Sequence, residues 1–305
     1  MTGASGLGRV LLPLSVVAAL TGCSVAADRS GGPQTLQVVA GEDFWGSIAA
    51  QLGGSHVSVT SIVTDPNADP HDYESSSADA RAFATADYVV LNGAGYDDWG
   101  QKLLDGNPSS SRTVLNVAEL LGKRDGDNPH FWYGPGYVRS VADRITADYE
   151  RLDPTDRSAF ESAHAAFVNA LMPYQQALAT IGGQFAGRRV AATEDIFVYL
   201  ATALHLDLIS PREFMQAVAE GNDPPASAVA AFEQQITSRQ AAVLVYNVQT
   251  VTAVTTNIQD LARQAGIPVV GISETIQPLG DTFQDWQVRQ LTALRAALTS
   301  SHADG

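Results

Sequence analysis

Residues 36–63, "LQVVAGEDFWGSIAAQLGGSHVSVTSIV", decide the fold class. The segment opens with a short apolar run over 36–40, which predicts a strand. An amphipathic helical pattern follows over 42–54, and an alternating apolar run over 57–63 predicts a second strand. Strands that are regularly separated by helices imply a parallel sheet with helices on both faces.

The same alternation continues along the rest of the chain. In the first half, further strands are predicted at 87–93 and 112–117, with helices at 75–86 and 97–104. In the second half, helices at 195–204, 212–218, 226–238 and 252–265 separate strands at 188–193, 206–210, 241–247 and 268–273. We therefore expect an α/β protein of two lobes, each a parallel sheet covered on both faces, at 36–150 and 186–305.

A long helical pattern lies between the two predicted lobes, within 151–185. Its apolar residues recur at three- and four-residue steps, which predicts one helix of about 28 residues, or about 40 Å. Pro173 is expected to kink this helix, and Gly182 and Gly183 to end it. A rigid helical link of this kind predicts only small lobe motion when a ligand binds.

The N-terminal residues predict export and lipidation. Residues 1–22 combine Arg9 with a short apolar stretch and small residues, which is typical of a secretory signal and too short for a spanning helix. The segment "LTGC", 20–23, resembles a bacterial lipobox, which implies cleavage before Cys23 and a lipid on its sulfur. The alternative is an exported soluble protein with an unmodified cysteine. Residues 23–35 are small, polar and turn-prone, which predicts a flexible tether.

Charge and cysteine content narrow the class of protein. The formal net charge is −15, and the chain has no basic block that could neutralise phosphates, so we expect no nucleic-acid binding. The same charge argues against binding to anionic membranes through the protein surface. With Cys23 as the single cysteine, no disulfide framework is possible.

Ionisable residues cluster where predicted strands end, which is where ligands bind in open α/β sheets. His71 lies in "DPNADPHDYE", 65–74, a loop stiffened by two prolines directly after a strand. His130 lies in a second proline-bounded loop, "DGDNPHFWYGPGY", 125–137. Glu194 and Asp195 follow one strand of the second half, and Glu274 follows another. Two imidazoles and several carboxylates are thus available at one cleft.

These loops resemble those of a known family, the metal-binding solute receptors of ABC importers for manganese, zinc and iron (cluster A-I). The family's Asp-Pro-His-x-Tyr/Phe-Glu loop occurs here as "DPHDYE", 69–74, and its Asp-Pro-His-x-Trp loop as "NPHFW", 128–132. A third segment occurs as "EDIFVYL", 194–200, and a fourth, weaker one as "SETI", 273–276. The resemblance runs over essentially the whole mature chain.

The resemblance implies a ligand set for one metal ion. It assigns His71 and His130 from the first lobe, and Glu194 and Glu274 from the second. At position 274 the family usually has aspartate, so the glutamate arm is one methylene longer, and Asp281 is the substitute ligand if Glu274 does not reach. Each residue also has a simpler explanation: His71 bracing its own turn, His130 packed in a core, Glu194 pairing with an arginine or capping a helix, and Glu274 exposed in a loop.

The donor types favour manganese over zinc. Oxygen ligands move a site towards harder ions, and two bidentate carboxylates with two imidazoles would supply six donors. Zinc receptors of the family often carry a histidine-rich loop after the first ligand, and 74–90 contains no histidine. Zinc nevertheless binds such ligands more tightly in an unconstrained site, so the cargo stays either Mn²⁺ or Zn²⁺.

The predicted function is that of a receptor and not of an enzyme. The resemblance implies a monomer outside the cytoplasmic membrane, held there only by its lipid, which captures one divalent transition metal ion and delivers it to an ABC permease and its ATPase. A secreted metal-dependent hydrolase is the rival, although the chain has no His-Glu-x-x-His helix and no Gly-x-Ser-x-Gly elbow. A third alternative is an adhesin or a receptor of the same fold that binds another ligand.

Overall fold

The computed structural model describes residues 1–3, 35–67 and 70–303, without the side chains of 72, 302 and 303. The signal segment, Cys23 and most of the tether lie outside the described residues. Residues from Thr35 onwards form one compact unit. In the part of the chain that is described, we find no helix with the length and hydropathy that crossing a bilayer requires.

The first lobe contains one four-stranded parallel sheet in the order β2-β1-β3-β4. Its strands are β1 (Leu36–Glu42), β2 (Val57–Val63), β3 (Tyr88–Leu91) and β4 (Thr113–Asn116). The helices that connect and cover them are α1 (Asp43–Gly53), α2 (Ser77–Thr85), α3 (Asp98–Asp105) and α4 (Val117–Leu120). The predicted strand–helix–strand unit over 36–63 is therefore confirmed.

The second lobe repeats this architecture in the order β6-β5-β7-β8, again with parallel pairing throughout. Its strands are β5 (Arg189–Ala192), β6 (Asp207–Leu208), β7 (Leu244–Asn247) and β8 (Val269–Ile272). For its helices we number first the three that precede it, α5 (Pro135–Leu152), α6 (Arg157–Ala170) and α7 (Met172–Phe185), and then α8 (Val198–Ala203), α9 (Arg212–Ala219), α10 (Ala226–Thr237), α11 (Ala253–Gln264) and α12 (Phe283–Ala303). Two parallel sheets covered by helices confirm the predicted fold class.

The long connecting helix is present and is interrupted at one residue. α6 and α7 meet at Leu171, two residues before Pro173, whose ring cannot follow an unbroken helix. The prediction that Gly182 and Gly183 end the helix is wrong, because α7 continues to Phe185. Ile181 and Phe185 are buried, and this packing outweighs the poor helix propensity of two glycines.

One hydrophobic core runs through both lobes. It joins the inner faces of both sheets to α1, α5, α6, α7 and α12. Two smaller clusters cover the outer faces, one around Val89 and Phe83 in the first lobe and one around Phe232 and Leu244 in the second. The site described next is therefore framed by two sheets that share one core.

Candidate metal centre

The four residues predicted as metal ligands lie together at the carboxyl ends of strands. His71 sits in a single turn after β2, Glu194 follows β5, and Glu274 follows β8. His130 precedes a short turn that leads into α5. One donor atom of each residue lies within 4.8 Å of a donor atom of every other. Residues more than 200 positions apart are thus brought into one cluster, two from each half of the chain.

The spacing of the donor atoms suits a common ion. His71 Nε2 lies 3.5 Å from Glu274 Oε2, and His130 Nε2 lies 3.6 Å from Glu194 Oε1 and 3.9 Å from Glu274 Oε2. Donors around a tetrahedral ion with bonds of about 2.0–2.1 Å are separated by about 3.4 Å. The side chain of His71 is 24% exposed, whereas the other three are fully buried. His71 therefore forms the solvent side of the cluster.

The ring of His130 is fixed from its far side. Nδ1 lies 2.9 Å from Asn128 Oδ1 and 3.2 Å from Asp195 Oδ1. Acceptors on Nδ1 direct the other nitrogen, Nε2, towards the cluster, which is how histidine ligands are oriented in metal sites. Burial alone would lower the pKa of His130, but the hydrogen bond and charge of Asp195 and the charges of the two glutamates raise this pKa to about 9.

The two carboxylates share one amide donor. Asn247 Nδ2 lies 2.9 Å from Glu194 Oε2 and 2.5 Å from Glu274 Oε1. The Tyr96 hydroxyl donates to the other oxygen of Glu274 at 2.6 Å. Burial, followed by the charge of Glu274, raises the pKa of Glu194 to about 8. Among the described residues, Glu194 Oε1 and His130 Nε2 are buried atoms with no hydrogen-bond partner. Both face the cluster, where a cation would satisfy them.

The structure favours Glu274 over Asp281 as a member of the cluster. Asp281 instead accepts a hydrogen bond of 2.7 Å from Arg289 at the surface. The simpler explanations for Glu194 and Glu274 are not supported either. Glu194 makes no capping bond to the turn that it precedes, and Arg189 approaches Asp207. Glu274 is completely buried instead of exposed in a loop.

Hydrogen bonds across the cleft hold the second-lobe loops against the first lobe. Asp43, at the start of α1, accepts from the backbone N–H of Ile276 at 3.0 Å. Burial is the largest influence on this carboxyl and raises the pKa of Asp43 to about 7. Asn128 donates to the carbonyl of Asp195 at 2.7 Å, and the Tyr199 hydroxyl donates to the carbonyl of Asn128 at 2.8 Å.

A second pair of buried acids supports the loop that carries Tyr96. Asp97 accepts from the backbone N–H groups of Asn92 at 2.6 Å and Gly93 at 2.8 Å. Burial raises the pKa of Asp97 to about 6, and burial together with the charge of Asp97 raises the pKa of Glu42 well above its ordinary value. A protonated Glu42 beside an ionised Asp97 avoids two like charges in the core.

A cavity of about 830 Å³ adjoins the cluster and gives it contact with the surface. Its wall near the cluster is formed by His71, Tyr96 and Asp195, and its far wall by side chains of α8 and α9. Since the other three members of the cluster are buried, this cavity lies on the side from which His71 can be reached.

Sequence reasoning missed two residues of this environment and named a third without a role. Asp195 was noted only as an acid after a strand, whereas it contacts the His130 ring. Asn247 ends β7, so a search for neutral polar residues at strand ends would have found it. Tyr96 follows β3 by five residues inside a glycine-rich loop, and no pattern in the sequence marks it as a donor to Glu274.

The fold and the site together define a class of protein: a two-lobed α/β protein with a buried cluster of imidazoles and carboxylates between its lobes. The family model described as "Zinc-uptake complex component A periplasmic" (ZnuA) matches residues 38–297. The chain belongs to this family, which confirms the resemblance found in its loops. Its named relatives and structural neighbours are metal-binding and substrate-binding proteins and not enzymes, which goes against the hydrolase alternative.

Known relatives carry names that refer to different metals. The manganese-binding lipoprotein MntA of Bacillus subtilis (strain 168) is 31% identical over 150 residues, which are 47% of this chain and 48% of that protein. The chain thus matches about half the length of this relative. A manganese-bound mutant of a periplasmic metal binding protein from Candidatus Liberibacter asiaticus has a TM-score of 0.72 at 17% identity, covering 86% of this chain and 98% of that one.

A second solved structure gives the same picture of the fold. The periplasmic zinc binding protein TroA from Treponema pallidum has a TM-score of 0.72 at 15% identity, covering 88% of this chain and 99% of that chain. At such identities the likeness concerns the fold alone.

Proposed function

We propose that this protein is an extracytoplasmic receptor that binds one divalent transition metal ion between its lobes and delivers it to an ABC permease with its ATPase. The observation that carries the proposal is the convergence of His71, His130, Glu194 and Glu274 from four separate loops to within 4.8 Å. The membership of the chain in the zinc-uptake family supports it.

The chemistry of the four residues suits capture followed by release. Two carboxylates neutralise a divalent charge, and two imidazoles add affinity for transition metals over Ca²⁺ or Mg²⁺. Three of the four side chains are buried, so an ion bound there is largely removed from water. Because two ligands come from each half of the chain, a permease that draws the ligand loops of one half away would remove two of the four ligands at once.

We propose manganese as the favoured cargo over zinc, because the ligand set contains two carboxylates and the first ligand loop lacks a histidine-rich segment. The name of the Bacillus subtilis relative supports manganese, and the name of the family supports zinc. A competition titration with Mn²⁺ and Zn²⁺ at one protein concentration shows which of the two ions binds more tightly.

We further propose that a lipid on Cys23 holds the protein, as a monomer, at the outer face of the cytoplasmic membrane. The relatives named as lipoproteins support this placement. Mass spectrometry of the protein extracted from membranes should find cleavage before residue 23 and the added mass of a lipid on Cys23. A membrane-bound protein with an unmodified Cys23 would contradict the anchor.

The metal site is tested by calorimetric titration of the mature protein with Mn²⁺ and Zn²⁺ after removal of bound metal. We expect one ion per chain, and His71→Ala should weaken binding at least tenfold, the scale seen even for residues that contact a ligand without touching the metal. The matched control is His164→Ala, since His164 of α6 pairs with Asp143 of α5, away from the cluster. Equal affinities of the wild-type and H71A proteins would refute the proposed site.

A further inference from the structure

Asn247 is a buried amide whose orientation is fixed by the backbone. Its side chain lies at the end of β7 and is 1% exposed. Its Oδ1 accepts from the backbone N–H of Gln249 at 3.0 Å. Because a backbone N–H can only donate, the oxygen of the amide must face Gln249 and the NH₂ group must face the opposite side.

The opposite side holds both acids of the candidate metal centre. Asn247 Nδ2 is within hydrogen-bond distance of Glu194 Oε2, Glu274 Oε1 and the Thr250 hydroxyl. The oxygens closest to the histidines are the other two, Glu194 Oε1 and Glu274 Oε2. Each carboxylate therefore has one oxygen beside the amide and one oxygen directed towards the ion site, where Glu274 Oε2 also accepts from the Tyr96 hydroxyl.

The segment around Asn247 is itself held in place. The side-chain oxygen of Gln249 accepts from the backbone N–H groups of Glu274 at 2.7 Å and Thr275 at 3.1 Å. The Asn247–Gln249 segment thus contacts both the backbone and the side chain of Glu274. A rigid donor at this place restrains the rotation that would turn the second oxygen of either glutamate towards an ion.

We propose that Asn247 is a specificity-determining positioning residue, which limits each of the two carboxylates to one metal-binding oxygen. With two imidazoles this gives a protein donor set of four, a number typical of Zn²⁺, whereas Mn²⁺ accepts six. Asn247 therefore acts against the preference that the carboxylates give to manganese and keeps zinc competitive. The inference rests on the proposed function, because it concerns the same cluster.

The test replaces Asn247 with leucine, which has nearly the same shape and no donor. Dissociation constants for Mn²⁺ and Zn²⁺ are measured by competition in the wild-type and N247L proteins, and the ratio Kd(Mn)/Kd(Zn) is compared. We expect this ratio to fall about tenfold in the variant, within the range for residues that orient metal ligands. X-ray absorption at the zinc edge should count four nitrogen or oxygen donors in the wild type and five or six in N247L.

Controls separate a specific effect from a general loss of structure. Asn257→Leu makes the same chemical change at an exposed asparagine that donates to Glu233, and its ratio should equal that of the wild type. Asn247→Ser keeps one short donor, provides a milder variant if N247L does not fold, and should give an intermediate ratio.

Failure of the proposed function and failure of the inference about Asn247 give different results. Wild-type protein that binds neither ion would overturn the proposed function together with this inference. Wild-type protein that binds both ions, with N247L or N247S weakening both equally and leaving the donor count at four, would overturn the inference alone.

Discussion

Metal capture should displace protons, because the acids around His130 hold a proton on its ring. Its pKa is raised to about 9, so the folded metal-free protein holds a proton on this imidazole at neutral pH. Glu194 also has a raised pKa, about 8, so its carboxyl is largely protonated there. A metal ion binds the unprotonated forms of both groups, and binding must therefore release protons.

The magnitude follows from the number of protons released. Each one makes the affinity fall about tenfold, or about 1.4 kcal/mol, for each pH unit below the pKa. One proton from His130 and up to one from Glu194 give a loss of about ten- to a hundredfold between pH 7 and pH 6. Above pH 9 both groups are mostly unprotonated without metal, so the dependence should become small.

The assay is calorimetric titration with Mn²⁺ at pH 7 in several buffers that differ in ionisation enthalpy, repeated at pH 6 and pH 9.5. The slope of observed enthalpy against buffer ionisation enthalpy gives the number of protons. Glu194→Gln, which cannot release a proton, should lower that number by up to one, while the surface variant His164→Ala should leave it unchanged. Release of no protons at pH 7, with measurable binding, would refute this account of the site.

Three further predictions concern stability. Since the pKa of folded His130 exceeds its ordinary value of 6.5, its contribution to the stability of the metal-free protein is fully present below pH 6.5 and lost as the pH rises through 9. The expected loss is on the order of 3 kcal/mol in urea unfolding. Asp43→Ala should cost about 1–3 kcal/mol in the same assay, because the buried N–H of Ile276 loses its acceptor across the cleft. Gly46→Ala should cost about 1–3 kcal/mol, because a Cβ there would overlap the Ser61 hydroxyl in the packing of α1 on β2.

Each of these predictions has its own check. Saturating Mn²⁺ should remove the loss of stability between pH 6.5 and pH 9, since bound metal has already displaced the proton; a loss that persists in this range would point to other groups. Gly136→Ala in α5 is the control for Gly46, because a Cβ at Gly136 meets nothing within 4 Å. Equal stability of the G46A and G136A proteins would contradict the packing argument, and wild-type stability of D43A would remove the role of Asp43.

The sequence predicts the fold well where strands and helices alternate with clear periods. The run over 57–63 corresponds residue for residue to β2, because its alternation and the loop after it leave no ambiguity about its ends. By contrast, none of the predicted helices covers α5 or α12. Pro135 suggests a continuing loop, but it is the first residue of α5, a position that proline tolerates well. α12 follows the irregular segment after β8, yet its buried residues Phe283, Trp286, Leu291, Leu294 and Leu298 recur at three- to five-residue steps, a helical period that is visible in the sequence.

The sequence predicts which residue types form the site, but it does not predict how their side chains are arranged. Loop motifs suggested the four candidate ligands, but no linear pattern shows that Glu274 is buried while Asp281 faces Arg289 at the surface. The two acids also looked equally able to bind through both oxygens. Only the three-dimensional placement of Asn247 reveals that one oxygen of each has another partner.

The central claim is tested most directly by crystallising the protein with Mn²⁺ and measuring anomalous diffraction on both sides of the manganese edge. We expect a single strong anomalous peak between the lobes, within bonding distance of His71 Nε2, His130 Nε2 and at least one oxygen of each of Glu194 and Glu274. A protein that takes up manganese with its anomalous peak elsewhere, or with one of these four side chains turned away from the ion, would contradict it.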